Sequence, residues 1–174
     1  MWLKYITIVI LFYVLGLVQN SFFAGLKLHV DLIFLLFYLF VFFEKRNNYL
    51  AFIFFAFCAG IFKDIFSVEY IGLSSIIFLV IGFTVKQLQY VFNMRKDDDS
   101  LPNFLIFFII SFIIYEALSK AVFRFNFNIL HAITYTFLKD LLVNAIAAVI
   151  LFFIVHYASM YLSGRKSKQL KLNF

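Results

Sequence analysis

Carboxylate side chains stand inside long apolar stretches of this 174-residue chain. Asp64, Glu116 and Asp140 are candidates for acid or base chemistry, because positioned carboxylates can transfer protons. Motifs that would support catalysis are missing: the sequence has no H-E-x-x-H, no G-x-S-x-G and no P-loop, and its one cysteine, Cys58, has no histidine nearby in sequence. Three carboxylates without a motif are weak support for an enzyme. We therefore expect a protein without catalytic activity, metal ion or cofactor.

Other polar residues in the apolar stretches fall at helical spacings. Glu116 precedes Lys120 by four residues, the order that favours an ion pair on a helix. Asp140 and Asn144 repeat this spacing and give a later helix a polar face. Asp31 stands near the start of an earlier apolar stretch. Charges within a membrane are candidates for function, but they can also serve only to fix helix packing, and the sequence leaves both alternatives open.

A stripe of small residues ends in an acid. Ala56, Gly60 and Asp64 are spaced by four, so one helical face offers a groove in which another helix can approach closely. Glu69 and Gly72 follow in a predicted turn. These five residues are candidates for binding a single-span partner. The alternative is packing between the third and fourth helices of the same chain.

The composition indicates whether these segments lie in water or in a membrane. Hydrophobic residues make up 65% of the chain and charged residues 14%, and the mean hydropathy is +1.00. One soluble core could not bury so much apolar surface, so we expect an integral membrane protein. The pattern predicts an all-α, polytopic bundle over residues 1–163, with a re-entrant pair over 30–66 as the alternative to separate spans there. About six transmembrane helices are predicted, at 5–23, 30–43, 49–66, 71–92, 104–123 and 131–161.

Basic residues are unequally distributed between the two sides of that bundle. With six spans, nine lysines and arginines lie on the side that holds both termini and three lie on the other side. This positive-inside pattern predicts cytoplasmic termini. The basic tail, 164–174, is typical of a topology signal with affinity for anionic lipid head groups. Nucleic-acid binding is not indicated.

Five segments carry a family resemblance: "LVQNSFF", "HVDLIFLL", "FCAGIFKDIFSVEYIGLSSIIFLVIGF", "IIYEAL" and "LLVNAIAAVI". Together they resemble the bacterial rod shape-determining protein MreD family over about residues 10–155. The sequence departs from the family pattern at Val30, where proline is usual, at Lys63, and at 68–70, where small residues often form the turn. The positions that match the pattern are Gln19, Asp31, Asp64, Gly72, Glu116 and Asn144.

This resemblance implies a non-catalytic component of the cell-elongation machinery in the bacterial inner membrane. It implies binding to the bitopic protein MreC and a link to the MreB cytoskeleton and the peptidoglycan synthases. It also implies a six-helix fold similar to the substrate-binding subunits of energy-coupling-factor vitamin transporters. A small-molecule binding subunit of such a transporter is therefore the alternative function. We favour the scaffold, because the first helix, "YITIVILFYVLGLV", almost lacks the small residues at i, i+4 through which those subunits dock their coupling partner.

Overall fold

The computed structural model describes residues 2–23, 30–44, 48–67, 71–92, 100–124 and 135–170, with side chains described over 6–21, 30–44, 48–67, 71–92, 100–121 and 137–157. These residues form six α-helices and contain no strand, which confirms the predicted all-α class. A π-helical turn, Gln19–Phe23, continues the first helix. The helices are α1 (Trp2–Val18), α2 (Leu32–Phe43), α3 (Tyr49–Ser67), α4 (Leu73–Val91), α5 (Leu101–Arg124) and α6 (Tyr135–Leu170).

Four of the helices are long and apolar enough to cross a bilayer. Two apolar stretches within the described residues are shorter, Ile6–Ser21 and Leu32–Phe43. The chain is therefore a membrane-embedded helical bundle, and four of its six predicted spans have the length to cross. The four long spans are Tyr49–Ser67, Leu73–Val91, Leu101–Ala121 and Phe137–Tyr157.

The short helix α2 is enclosed by the rest of the bundle. Its 12 residues rise about 18 Å, whereas the hydrocarbon core of a bilayer is about 30 Å thick. Eight of these residues are buried, and they include consecutive runs that point in all directions around the helix. Because α2 is surrounded by protein, the polar groups at both of its ends have to find their partners within the chain.

The other helices pack around α2 through aromatic rings. α1, α3, α4 and α6 all contact α2, and α3 with α4 forms the most extensive helix pair. Between α2, α4 and α5, Phe34 stacks on Tyr115 with ring centroids 4.7 Å apart, and Phe78 lies parallel to Tyr115 at 6.0 Å. The outward faces carry exposed apolar side chains such as Ile10 and Ile146, as expected of surfaces that meet lipid.

The last helix is longer than the predicted span. The sequence predicted a span over 131–161 and a separate basic tail from residue 164, whereas the helical backbone of α6 runs from Tyr135 to Leu170. Between Tyr135 and Leu170 the sequence has no proline. Its one glycine, Gly164, lowers helix stability by only about 1 kcal/mol, so the helix can continue past it. Residues 125–134 and 171–174 lie outside the described part of the chain.

Candidate functional site

The N-terminus of α2 is capped by side chains from three parts of the chain. The N–H of Asp31 donates to Asn144 Oδ1 at 2.9 Å, and the N–H of Phe34 donates to Asp31 Oδ1 at 3.0 Å. The N–H groups of Leu32 and Ile33 both donate to Gln19 Oε1, at 2.9 and 3.4 Å. The first N–H groups of a helix lack partners within the helix. All four have partners here, although α2 begins inside the bundle.

The second oxygen of the Asp31 carboxylate joins α2 to two further helices. Lys63 on α3 forms a salt bridge with Asp31 Oδ2, and the Tyr115 hydroxyl on α5 donates to the same oxygen at 2.5 Å. The Lys63 ammonium also lies 5.1 Å from the centroid of the Tyr115 ring. The Lys63 and Asp31 side chains are only 16% and 12% exposed, so each charge depends on the other for most of its compensation. We call Gln19, Asp31, Lys63, Tyr115 and Asn144 the N-terminal cap cluster of α2.

A second group of side chains caps the opposite end of α2. Lys86 on α4 is 2% exposed and donates to the carbonyls of Val41 and Glu44, both at 2.9 Å. Gln89 Nε2 donates to the Phe42 carbonyl at 2.8 Å, and Gln89 Oε1 accepts from Lys86 at 3.3 Å. A cation is favourable at a helix C-terminus, where the carbonyl groups lack partners and carry the negative end of the dipole. Lys86 and Gln89 are the C-terminal cap pair of α2.

Asp64 caps a different helix, α4. Its carboxylate accepts from the N–H of Gly72 at 2.5 Å and from the N–H of Ser74 at 3.2 Å. Gly72 has φ of +100°, a backbone conformation that favours glycine, and has no side chain with which to cap the helix itself. Asp64, 1% exposed, therefore replaces the missing cap from the neighbouring helix.

The predicted partner groove is filled by the chain itself. Ala56 and Asp64 are buried, and a Cβ added to Gly60 would lie 2.3 Å from the Ser75 Cα on α4. The face formed by Ala56, Gly60 and Asp64 is thus the contact surface of α3 with α4, which is the packing alternative. Within the single chain this face is not open to a partner helix. Glu69, the other acid predicted at this corner, lies outside the described residues.

Glu116 and Lys120 form the ion pair that their spacing predicted. Their charged atoms are 3.2 Å apart, and their side chains are 24% and 27% exposed. Lys120 also lies 5.5 Å from the centroid of the Phe137 ring on α6. Asp140 is half-buried, and its backbone carbonyl accepts from Asn144 Nδ2 at 2.8 Å, which orients the Asn144 amide towards Asp31. The three acids that the sequence offered for acid or base chemistry, Asp64, Glu116 and Asp140, therefore belong to three separate contacts.

The arrangement joins helices through hydrogen bonds and ion pairs. In the part of the chain that the structure describes, no group of three His, Cys, Asp or Glu side chains could hold a metal ion. The Asp31 carboxylate accepts hydrogen bonds from Lys63, Tyr115 and a backbone N–H. A carboxylate with these partners is held as an anion in a fixed position, which suits it to fixing helix ends.

Several residues of the two clusters could not be recognised from the sequence. Tyr115 is one of ten tyrosines, and only the fold shows that its hydroxyl reaches Asp31. Lys86 and Gln89 can be found from the sequence, because "TVKQLQYV" places these two residues three apart, on one helical face, at the end of an apolar stretch. Lys63 is marked in the sequence only as a departure from the family pattern, and the fold pairs it with Asp31.

Comparisons with known proteins identify no relative: no protein-family model, no curated protein and no solved structure matches the chain.

Proposed function

We propose that this chain is a non-catalytic scaffold of the bacterial cell-elongation machinery, of the MreD type, in the inner membrane. It binds an MreC-like bitopic protein and is linked through it to the MreB cytoskeleton and the peptidoglycan synthases. The observation that carries the proposal is the convergence of residues that match the family pattern. Gln19, Asp31 and Asn144, which are far apart in sequence, cap one helix, and Asp64 with Gly72 joins the next two.

These contacts support a scaffold because each uses a polar group to fix the end of a helix. A helix end that begins or stops inside the bundle needs compensation for its N–H or C=O groups, and a free group there costs several kcal/mol in lipid. Side chains from other helices supply it at both ends of α2. Helices whose ends are fixed in this way present a pre-organised outer surface. Such a surface lowers the entropic cost of binding a single-span partner.

The alternative function, a small-molecule binding subunit of an energy-coupling-factor transporter, requires space for a ligand within the six-helix bundle. Rings of Phe34, Phe78 and Tyr115 occupy the region between α2, α4 and α5. The Asp31–Lys63 pair lies against the same Tyr115 ring. These contacts favour the scaffold, although the proposed helix arrangement is similar in the two classes.

The surface available to a partner follows from the filled groove. Since α4 covers the Ala56–Gly60–Asp64 face, the partner has to contact an outward apolar face. Ile10 on α1, Ile65 on α3, Phe83 on α4 and Ile146 on α6 are each more than half exposed and sample four such faces. In the proposed orientation both termini are cytoplasmic, and the basic tail meets anionic lipid.

Site-specific photocrosslinking in native membranes tests this function. A photoreactive residue is placed singly at Ile10, Ile65, Phe83 and Ile146, and captured proteins are identified at matched membrane abundance. We expect one face to capture an MreC-like bitopic protein far more than the other three, and depletion of the chain to increase cell width. Capture of a vitamin-transporter ATPase, equally weak capture at all four positions, or unchanged cell width would overturn the proposal.

A further inference from the structure

Only a narrow stripe of α6 is buried in the bundle. Over its described side chains, 137–157, the buried residues are Asn144, Ala148 and Phe152, spaced by four along one face. The opposite face carries exposed apolar residues from Leu138 to Tyr157. Lipid tails are as apolar as these side chains, so no hydrophobic force presses α6 against its neighbours.

The two ends of this stripe are attached by different chemistry. At one end Phe152 lies 4.8 Å from Phe104 and 5.7 Å from Phe43, measured between ring centroids. At the other end Asn144 Oδ1 accepts from the N–H of Asp31. Ala148, between them, is too small to interlock deeply. Ring packing of Phe152 on Phe43 and Phe104 thus joins α6 to α2 and α5 at one end of the stripe, and the Asn144 hydrogen bond joins α6 to α2 at the other end.

The polar attachment is built to hold one geometry. The Asn144 amide is oriented by its second bond, to the Asp140 carbonyl one turn earlier. Its partner N–H belongs to the first residue of the α2 cap, where no backbone acceptor is available. Asp31 itself is held by Lys63 and Tyr115. Loss of the Asn144 acceptor would leave the Asp31 N–H unpaired in a buried site and remove this hydrogen bond between α6 and α2.

We propose that the Asn144–Asp31 hydrogen bond is a clasp that keeps the Tyr135–Asn144 half of α6 closed against α2, and that its release lets this half separate while the Phe152 end stays in place. That half has other contacts besides the clasp: Phe137 lies 6.2 Å from Phe112 between ring centroids and 5.5 Å from the Lys120 ammonium on α5, and Leu141 and Val143 pack partly buried against the core. The clasp is a conformational device of the fold. It does not depend on the proposed scaffold function.

Spin-label distance measurements in lipid nanodiscs test the clasp. In a Cys58→Ala background, one label pair at Ile65 and Leu138 reports the clasped end, and a second pair at Leu50 and Ile154 reports the opposite end; all four positions are exposed. Asn144→Ala removes the acceptor without adding side-chain volume at this buried site, and it leaves the Asp31 and Lys63 side chains unchanged. We expect the Ile65–Leu138 distance to lengthen beyond the width of the parent distribution, and the Leu50–Ile154 distance to stay unchanged.

Phe152→Ala is the matched control at the other end of the stripe. It is expected to shift the Leu50–Ile154 distance and to leave the Ile65–Leu138 distance as in the parent. The clasp is overturned if Asn144→Ala changes neither distance, or if it changes both equally, since the second result reports general loosening. If Asn144→Ala fails to insert, Asn144→Val, which also lacks an acceptor, replaces it and is judged by the same two outcomes.

Discussion

At the scale of single residues, Asp31 contacts three other helices, α3, α5 and α6, besides capping α2. One carboxylate oxygen caps its own helix, the other binds Lys63 and Tyr115, and the backbone N–H binds Asn144. Because Asp31 and Lys63 are little exposed, removing either side chain would leave the other as an unpaired buried charge. This unpaired charge accounts for most of the stability that such a change would cost.

The first prediction concerns this coupling. Lys63→Met leaves the Asp31 carboxylate without its counter-charge, and Asp31→Asn keeps the cap acceptor but leaves Lys63 unpaired. Each single change should destabilise the chain, and the double variant should lose less than the sum, with a coupling of about 1–3 kcal/mol. Unfolding in detergent, followed by helical circular dichroism, measures the four states of the cycle. Additive losses would show that the two groups are independent.

The same cycle on Glu116 and Lys120 should give a much smaller coupling. These side chains are about one quarter exposed, and they are neighbours on one helix. We therefore predict, for Glu116→Gln with Lys120→Met, a coupling smaller than the one between Asp31 and Lys63. A coupling as large as that of Asp31 with Lys63 would show that exposure and separation along the chain do not set the difference between the two pairs.

At the scale of elements, the sequence predicted where helices lie better than what holds their ends. Apolar stretches located all six helices, because in lipid the backbone must bond within its own segment. Asp31 and Asn144 were recognised as polar candidates in separate helices, but their contact joins residues 113 apart in the chain. A local sequence pattern cannot predict a contact between residues so far apart in the chain. For the same reason the stripe at Ala56, Gly60 and Asp64 indicated close packing without saying whether α4 or a partner fills it.

Two glycines on either side of the α3–α4 turn should respond to alanine for different reasons. At Gly60 the added Cβ meets the Ser75 backbone at 2.3 Å, so the helices must separate, and we expect a loss of about 1–3 kcal/mol. At Gly72 no atom lies near the added Cβ, but φ of +100° disfavours a side chain, so the loss is about 1–2 kcal/mol.

A second substitution at Ser75 separates these causes. Two of the three atoms nearest to the Gly60 Cβ belong to the Ser75 backbone. Ser75→Gly should therefore fail to rescue Gly60→Ala in the same unfolding measurement. Full rescue would mean that only the Ser75 hydroxyl, and not the approach of the two backbones, limits the space at Gly60.

At the scale of the whole molecule, α2 is the element around which the membrane topology has to be understood. It is too short to cross alone, and both of its ends are capped inside the bundle. Composition and hydropathy, which sum over the whole chain, predicted a membrane-embedded protein, and the four long apolar helices agree with that prediction. The sequence left a re-entrant pair over 30–66 as the alternative, but α3 within that range is long enough to cross, and the two shorter helices are α1 and α2. Whether α1 and α2 both cross, or enter and return, the segment after α2 lies on the same side as the N-terminus.

The last prediction resolves this point by cysteine accessibility in intact cells, in a Cys58→Ala background. If α1 and α2 both cross, cysteines at Ala24 and Asn126 should react with an impermeant reagent from outside, and those at Asn47 and Ser100 only after the cytoplasm is opened, as the nine-to-three distribution of basic residues requires. If α1 and α2 do not cross, Ala24 should behave like Asn47, while the other three positions keep their pattern. Ala24 thus tests the first two spans, and Ser100 tests the orientation of the four long ones. Outside labelling of Ser100 would refute the cytoplasmic placement of the termini, because that segment and both termini share one side in either arrangement.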